Sequence, residues 1–367
     1  MLRKLLVAAA LCVAGAAMAS ADDVSANEWD QTVAQAREEG RVNWFVWYLR
    51  DDLRRFVQPF EKKYGIAVTI PEGTADANAQ KLLSERDREP GDIDVFTYGL
   101  NNFESLDITA LFLPLDFLPE DEGRLASVSG EDGKSYILSF WGNQTGIAYD
   151  TSVLAQADLP QTAEDFARFW TEHPGKFGFN YENGGSGPSF YLNLMGAVAG
   201  VDMTSAAADG ATMQSLQPGY DFFNAHADNY VVTASNADSI IRVSDGELWL
   251  VPGWEDHLAG LQNRGEVRKD IEFYIPEFGM SGGSNGVAIP RNAAHPAAAA
   301  LLVHWLTSPE VQSEFNRVFG TAPMNAASDD SAALVSNTQR SRSTAWPSDE
   351  LRKPVEEKFI ETVILER

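Results

Sequence analysis

The sequence holds one cysteine in 367 residues, Cys12, inside an apolar stretch near the N-terminus and without a lipoprotein cleavage pattern in front of it. Met1-Leu-Arg-Lys, an apolar run of roughly fifteen residues from Leu5 to Ala19 and small residues ahead of Asp22 describe a secretory signal peptide over residues 1–21. That run is too short for a permanent membrane span, and no other apolar run approaches spanning length. The expected mature chain therefore has no thiol, which excludes disulfides, cysteine nucleophiles and thiolate zinc sites. Basic residues are also scarce: 28 Lys and Arg face 53 Asp and Glu, a formal charge of −25. The signal peptide takes away Arg3 and Lys4 and no acid. Nucleic acid and anionic membrane surfaces are repelled by such a chain. The five histidines show no Glu-bracketed metal spacing. No internal repeat, low-complexity tract or long linker is visible. With 44% hydrophobic residues the chain is globular, and it is long enough for two lobes.

What is present is organised around Ser139-Phe-Trp-Gly-Asn-Gln-Thr-Gly-Ile-Ala-Tyr-Asp150. Aromatic and β-branched residues alternate there with small polar ones, so the stretch reads as one long strand able to serve two sheets in turn. Trp141 to Thr145 is the expected crossing between lobes. Before it, Val42–Tyr48, Ile66–Ile70 and Ile93–Thr97 read as strands separated by helices over 51–64 and 75–89, a rhythm that argues for a parallel sheet covered by helices. After it come a helix over 162–172, a strand at Lys176–Asn180, and helices over 189–198, 213–227 and 235–245. Strands at Leu248–Val251 and Ile271–Ile275 flank a helix over 254–263. Gly286-Val-Ala-Ile-Pro290 reads as the return crossing. Helices over 293–306, 309–319 and 348–366 close the chain, with a polar stretch over 326–343 between the last two. The expected division is a discontinuous first lobe, 22–141 with 285–367, and a second lobe, 142–284.

These residues resemble the type II periplasmic solute-binding proteins of ABC importers, near the branch that binds polyamines and related organic solutes. The likeness is carried by Val46-Trp-Tyr-Leu49, Phe60-Glu-Lys-Lys-Tyr-Gly-Ile-Ala-Val68, Gly91-Asp-Ile-Asp-Val-Phe96 and the central stretch. Val251-Pro-Gly-Trp-Glu-Asp256 and Gly286–Pro290 ahead of Ala297–Trp305 complete it. The resemblance implies an α/β fold of two lobes joined by two hinge-crossing strands, closing over a solute. It also implies a periplasmic location, no cofactor, and delivery to a membrane permease with its ATPase. A monomer that is neither an enzyme nor inserted in the membrane is expected.

Ligands of parallel α/β sheets collect at the carboxyl ends of strands and the amino ends of the helices that follow. This singles out Trp47 and Tyr48 after the first strand, Tyr98 and Asn101 after the third, and Trp141, Asn143 and Gln144 at the crossing. In the second lobe it singles out Trp254, Glu255 and Asp256. The turn Gly184-Gly-Ser-Gly-Pro-Ser189 offers Ser186, Gly187 and Ser189 as a site for phosphate, carboxylate or hydroxyl oxygen. Each has a plainer reading, as a core aromatic, a first-turn acid or a serine cap. The Trp-x-acid step at Trp254 and Asp256 is similar to that of the polyamine receptors. Those receptors carry further carboxylates where this chain has Ser186 and Ser189, and a buried unpaired ammonium is costly. The first expectation is a small hydroxylated, zwitterionic or phosphorylated solute, with a polyamine second. Whether Arg50 faces the cleft is open.

Two readings of other classes compete. Gly279-Met-Ser281-Gly-Gly283 matches the nucleophile elbow of a secreted hydrolase, but loop and strand follow it rather than a helix, and no acid lies between Ser281 and His295 or His304. Some relatives of the resembled family bind ferric iron through adjacent tyrosines, and this sequence has no Tyr-Tyr pair. His257 beside Glu255 and Asp256 is a weak metal cluster, since consecutive helical residues do not face one another.

Overall fold

The computed structural model describes residues 21–103, 105–128 and 131–366, so the signal peptide lies, but for Ala21, outside the described residues. Ten strands form one hydrogen-bonded sheet. In chain order they are β1 (Arg41–Phe45), β2 (Ala67–Thr69), β3 (Val95–Gly99), β4 (Leu138–Asp150) and β5 (Phe177–Asn180). Then follow β6 (Tyr230–Thr233), β7 (Leu250–Trp254), β8 (Ile271–Tyr274), β9 (Met280–Ala288) and β10 (Ser343–Thr344). The order across the sheet is β2-β1-β3-β9-β4-β7-β5-β6, with β8 also on β4 and β10 on β9.

Two long antiparallel strands hold this path together. The first half of β4 pairs with β9, Asn285 opposite Trp141 and Gly282 opposite Gln144. Its second half leaves β9 for β7 and β8, with Ile147 opposite both Pro252 and Tyr274. β9 stays on β4 from Gly282 to Val287 and takes β3 on its other edge, Val287 lying opposite both Leu138 and Thr97. The flanking sets, β1 with β2 and β3, and β5 with β6 and β7, are parallel. Nearly all of β4 is buried, its small polar residues as well as its aromatic and β-branched ones, because both of its faces are covered.

The apolar side chains gather on either side of this switch. One cluster takes Trp44, Phe60, Phe140, Trp141, Val287 and Phe315. Another takes Ile147, Phe166, Trp170, Phe190, Leu258 and Met280. The terminal helix, Asp349–Phe359, sends Leu351, Val355 and Phe359 into the second cluster, and Val363 follows them. The sequence reading places this helix, within 285–367, in the first lobe. At roughly 2 kcal/mol for each fully buried apolar side chain, that face outweighs sequence proximity to the helices before it.

Local differences have local causes. The helix expected over 51–64 is two, Arg50–Phe56 and Gln58–Tyr64, because Pro59 cannot donate the hydrogen bond that a continuous helix needs there. Pro218 likewise separates Gly210–Ser215 from Gln217–Ala225. Strand β6 was not expected; Tyr230-Val-Val-Thr233 is short and lies between two helices. Thr162 and Asp165 form a reciprocal cap on the helix Ala163–Glu172. Among the described residues no helix is long and apolar enough to cross a membrane.

Candidate functional site

A cavity of about 530 Å³ opens where the carboxyl ends of the parallel strands meet the two crossing strands. Trp47 and Tyr48 reach it from beyond β1, and Gly99 and Asn102 from the end of β3. The crossing strands supply Trp141 and Asn143 from β4 and Gly282 to Asn285 from β9. From the other side come Gly184 and Gly185 after β5, Asn236, and Trp254 with His257 after β7.

Rings make up much of the wall. Tyr48 lies flat on Trp141, 5.3 Å between centroids and 7° between planes, and its other neighbour is His257 at 5.1 Å and 16°. Trp47 stands 6.4 Å from Trp141. Trp254 lies 6.4 Å from Trp346, a residue of the C-terminal segment. Burial holds the His257 imidazole down at about 4, with Arg264 adding to the effect, so the ring is neutral at ordinary pH and stacks as an uncharged aromatic.

The two acids after Trp254 do not face this cavity. Glu255 is fully buried and takes both guanidinium nitrogens of Arg340, at 2.6 and 3.1 Å. Burial pushes its carboxyl up to about 7 against the pull of Arg340. Asp256 is also fully buried; it accepts from the Asn143 amide at 2.9 Å and from the His257 N–H at 2.8 Å. Burial, and then the neighbouring Glu255 charge, raise its carboxyl well above the ordinary range. The charges lining the main cavity are Asp349 and Arg352, 2.7 Å apart and paired with one another.

The turn expected to hold an anion is closed from within. The Ser186 hydroxyl donates to Asn236 at 2.6 Å, and the Ser186 and Gly187 N–H groups are taken by the side-chain oxygens of Asn236 and Asn180, both at 3.3 Å or less. Ser189 shares a hydrogen bond with Thr145 at 2.7 Å and accepts from the Ser281 N–H at 2.8 Å. Gly187 is obligatory: a Cβ there would stand 1.6 Å from the Asn180 carbonyl oxygen. So Ser186, Gly187 and Ser189 fasten the helix Ser186–Ala199 to the sheet, and only Gly184 and Gly185 of this turn reach the cavity.

Of the other expected residues, Tyr98 stands behind the wall, edge-on to Trp47 at 6.2 Å, and supports it. Asn101 lies in the short helix Leu100–Phe103, with its side chain outside the described ones. The Gln144 amide donates to the Thr145 and Met280 carbonyls at 2.8 and 3.0 Å and belongs to the crossing itself. Arg50 donates to the carbonyls of Trp47 and Gly73 and pairs with Glu72; it lines a second cavity of about 480 Å³, which Tyr48, Asp256 and His257 also border. Ser281 lies in β9 with its hydroxyl held by the Asn193 amide at 3.0 Å, within a strand rather than at an elbow. Among the described residues no three His, Cys, Asp or Glu side chains gather to hold a metal ion.

Sequence reasoning missed Asn236, Asn285, Trp346, Asp349 and Arg352, and it weighed His257 only as a metal ligand. Trp346 carried the clearest signal: a lone tryptophan before Pro347, next to a polar stretch.

The model of the bacterial extracellular solute-binding protein family matches residues 55–341. The chain belongs to that family. The resemblance drawn from the sequence thus holds, and with it the two-lobe α/β fold of type II binding proteins. Over 127 residues this solute-binding protein is 27% identical to the putrescine-binding periplasmic protein SpuD of Pseudomonas aeruginosa (strain UCBPP-PA14), an alignment spanning 34% of each chain, or about a third of that relative's length. Two solved structures are similar in fold. One is the spermidine/putrescine ABC transporter substrate-binding protein PotD of Streptococcus pneumoniae, 13% identical, TM-score 0.67, covering 89% of this chain and 98% of that one. The other is the periplasmic binding protein AfuA of Actinobacillus pleuropneumoniae, solved with fructose-6-phosphate bound, 17% identical, TM-score 0.56, covering 89% and 99%.

Proposed function

We propose that this protein is the periplasmic solute-binding component of an ABC importer, taking a small polar organic solute of no net charge into the cavity and handing it to a membrane permease driven by an ATPase. The two sides close about β4 and β9. One observation carries the choice of solute. The acids of the Trp254-Glu-Asp256 step are turned inward and already paired, while the wall offers ring faces, the amides of Asn102 and Asn285, and the Asp349–Arg352 pair. Ring faces pack against C–H surfaces, and amides hold hydroxyl or zwitterionic groups. A primary ammonium would find no unpaired carboxylate among the lining side chains, and leaving it unpaired is costly.

A second reading, polyamine capture, is favoured by the names of SpuD and PotD. A thermal-shift panel of polyols, sugars and zwitterions against spermidine and putrescine separates the two. A rise with a member of the first group supports the proposal, since a bound solute stabilises by mass action. A rise with the polyamines alone reverses the ranking.

A further inference from the structure

The family match ends at residue 341, yet Ala345, Trp346, Pro347, Asp349 and Arg352 line the cavity. We propose that the segment 340–352 is a strap that sets which solute the cleft accepts, with Trp346 as its specificity-determining residue. The proposal rests on the solute-binding reading above.

The strap is fastened on both sides of Trp346. Upstream, Arg340 is paired with buried Glu255, and Arg342 donates to the Ile275 carbonyl at 2.7 Å and to Gln161 at 3.1 Å. Ser343 and Thr344 then run parallel to Met280 and Ser281 as β10, and the Thr344 hydroxyl donates to Asn193 at 2.9 Å. Downstream, Leu351, Val355 and Phe359 are locked into the core, with Phe359 stacked on Tyr191 at 4.0 Å and 5°. Ala345 to Pro347 is the short piece between these anchors, and Pro347 restricts its backbone. Trp346 is therefore positioned by the fold rather than free to swing.

Its place fixes its role. Trp254 and Trp346 are 6.4 Å apart at 27°, which leaves no room for a third layer between them, since two contacts of about 3.5 Å need about 7 Å. Both rings abut Gly185, where an added Cβ would stand 3.3 Å from Trp254 and 3.4 Å from Trp346. The two tryptophans are one aromatic surface, and the solute lies on it, across the cavity from Trp47 and Trp141. Asp349 and Arg352, on the next turn of chain, offer that solute one acceptor and one donor. The elements inside the family match supply the clamp, and the strap adds one of the two tryptophans of that surface and, among the described residues, the only lining ion pair.

The test uses the mature chain with W346A, W346F and, as a control in the opposite wall, W47A. Binding of sorbitol, glycine betaine, fructose 6-phosphate and spermidine is measured by titration calorimetry, with circular dichroism as the check on folding. W346A is expected to weaken the best probe about tenfold or more and to change the ranking of the four, while W346F keeps affinity within about threefold. Unchanged affinity and ranking in W346A, beside a loss in W47A, overturns the strap and leaves the solute-binding reading intact. If spermidine alone binds the wild type, the choice of solute fails, and the strap is judged by the effect of W346A on spermidine. If none of the four binds the wild type, the solute reading is overturned and the strap with it.

Discussion

Replacing Arg340 by methionine removes the one cation paired with the Glu255 carboxylate among the described residues. Glu255 is fully buried and Arg340 is 16% exposed, so solvent does little to screen or replace the pair. Breaking a buried pair by removing one member costs about 3–5 kcal/mol, because the remaining charge is stranded. For a chain of this size about 2 °C of melting temperature accompanies each kcal/mol, giving a fall of about 6–10 °C near pH 8. The pH dependence is the sharper part. In the wild type the Glu255 carboxyl is held at about 7, above its ordinary 4.5, so the folded state keeps a proton that the unfolded chain releases, and stability from this group falls as pH rises from 4.5 through 7. Without Arg340 the carboxyl rises further and the fall continues beyond pH 7. The deficit of R340M is thus expected to be small at pH 5, about 1–2 kcal/mol for the lost hydrogen bonds, and to grow toward pH 8. The double variant E255M/R340M, which strands nothing, should recover most of the loss. Calorimetric melting at pH 5 and pH 8 decides the matter. A deficit equal at both pH values, or a double variant as weak as R340M, would refute the reasoning.

Three further outcomes are expected. Phe359→Ala removes a fully buried ring stacked on Tyr191 and should cost about 3–5 kcal/mol in urea unfolding; a loss below about 1 kcal/mol would mean that the terminal helix is an appendage. His257→Phe keeps a ring against Tyr48 but removes a group held at about 4, below its ordinary 6.5. Only the unfolded wild-type chain takes up that proton between pH 6.5 and 4, so the wild type loses up to about 3 kcal/mol there, and the variant should show a shallower acid-side fall in melting temperature. Gly187→Ala places a methyl 1.6 Å from the Asn180 carbonyl oxygen and should cost about 2 kcal/mol or more, whereas Gly210→Ala, with nothing within 4 Å, should be neutral or slightly stabilising. Equal melting temperatures for these two glycine variants would contradict the packing described for the Gly184–Ser189 turn.

Much of the scaffold was legible because it is written in local terms. The crossing strand announced itself by the stretch from Ser139 to Asp150 without helical spacing, the helix at 163–172 by its Thr162 cap, and the parallel halves by strands alternating with helices. Trp47, Tyr48, Trp141, Asn143 and Trp254 were found for a related reason: in a parallel sheet the end of a strand is a place in space as well as in the chain. Ser186, Ser189, Glu255 and Asp256 came from the same rule, yet the fold turned them inward. Position along a chain says which strand end a residue occupies, and it does not say whether that residue's hydrogen bonds are already taken.

The amino-acid sequence by itself determined the strands, the caps, the proline breaks and the supply of aromatic and amide groups at strand ends, since these depend on residues within a few positions of one another. Tertiary structure alone decided that Arg340 neutralises Glu255 across 85 residues and that the terminal helix joins the second core. It also decided that Trp346 meets Trp254. Such pairings join segments far apart in the chain, and the competition for buried surface that selects them is settled only when the whole polypeptide has closed on itself.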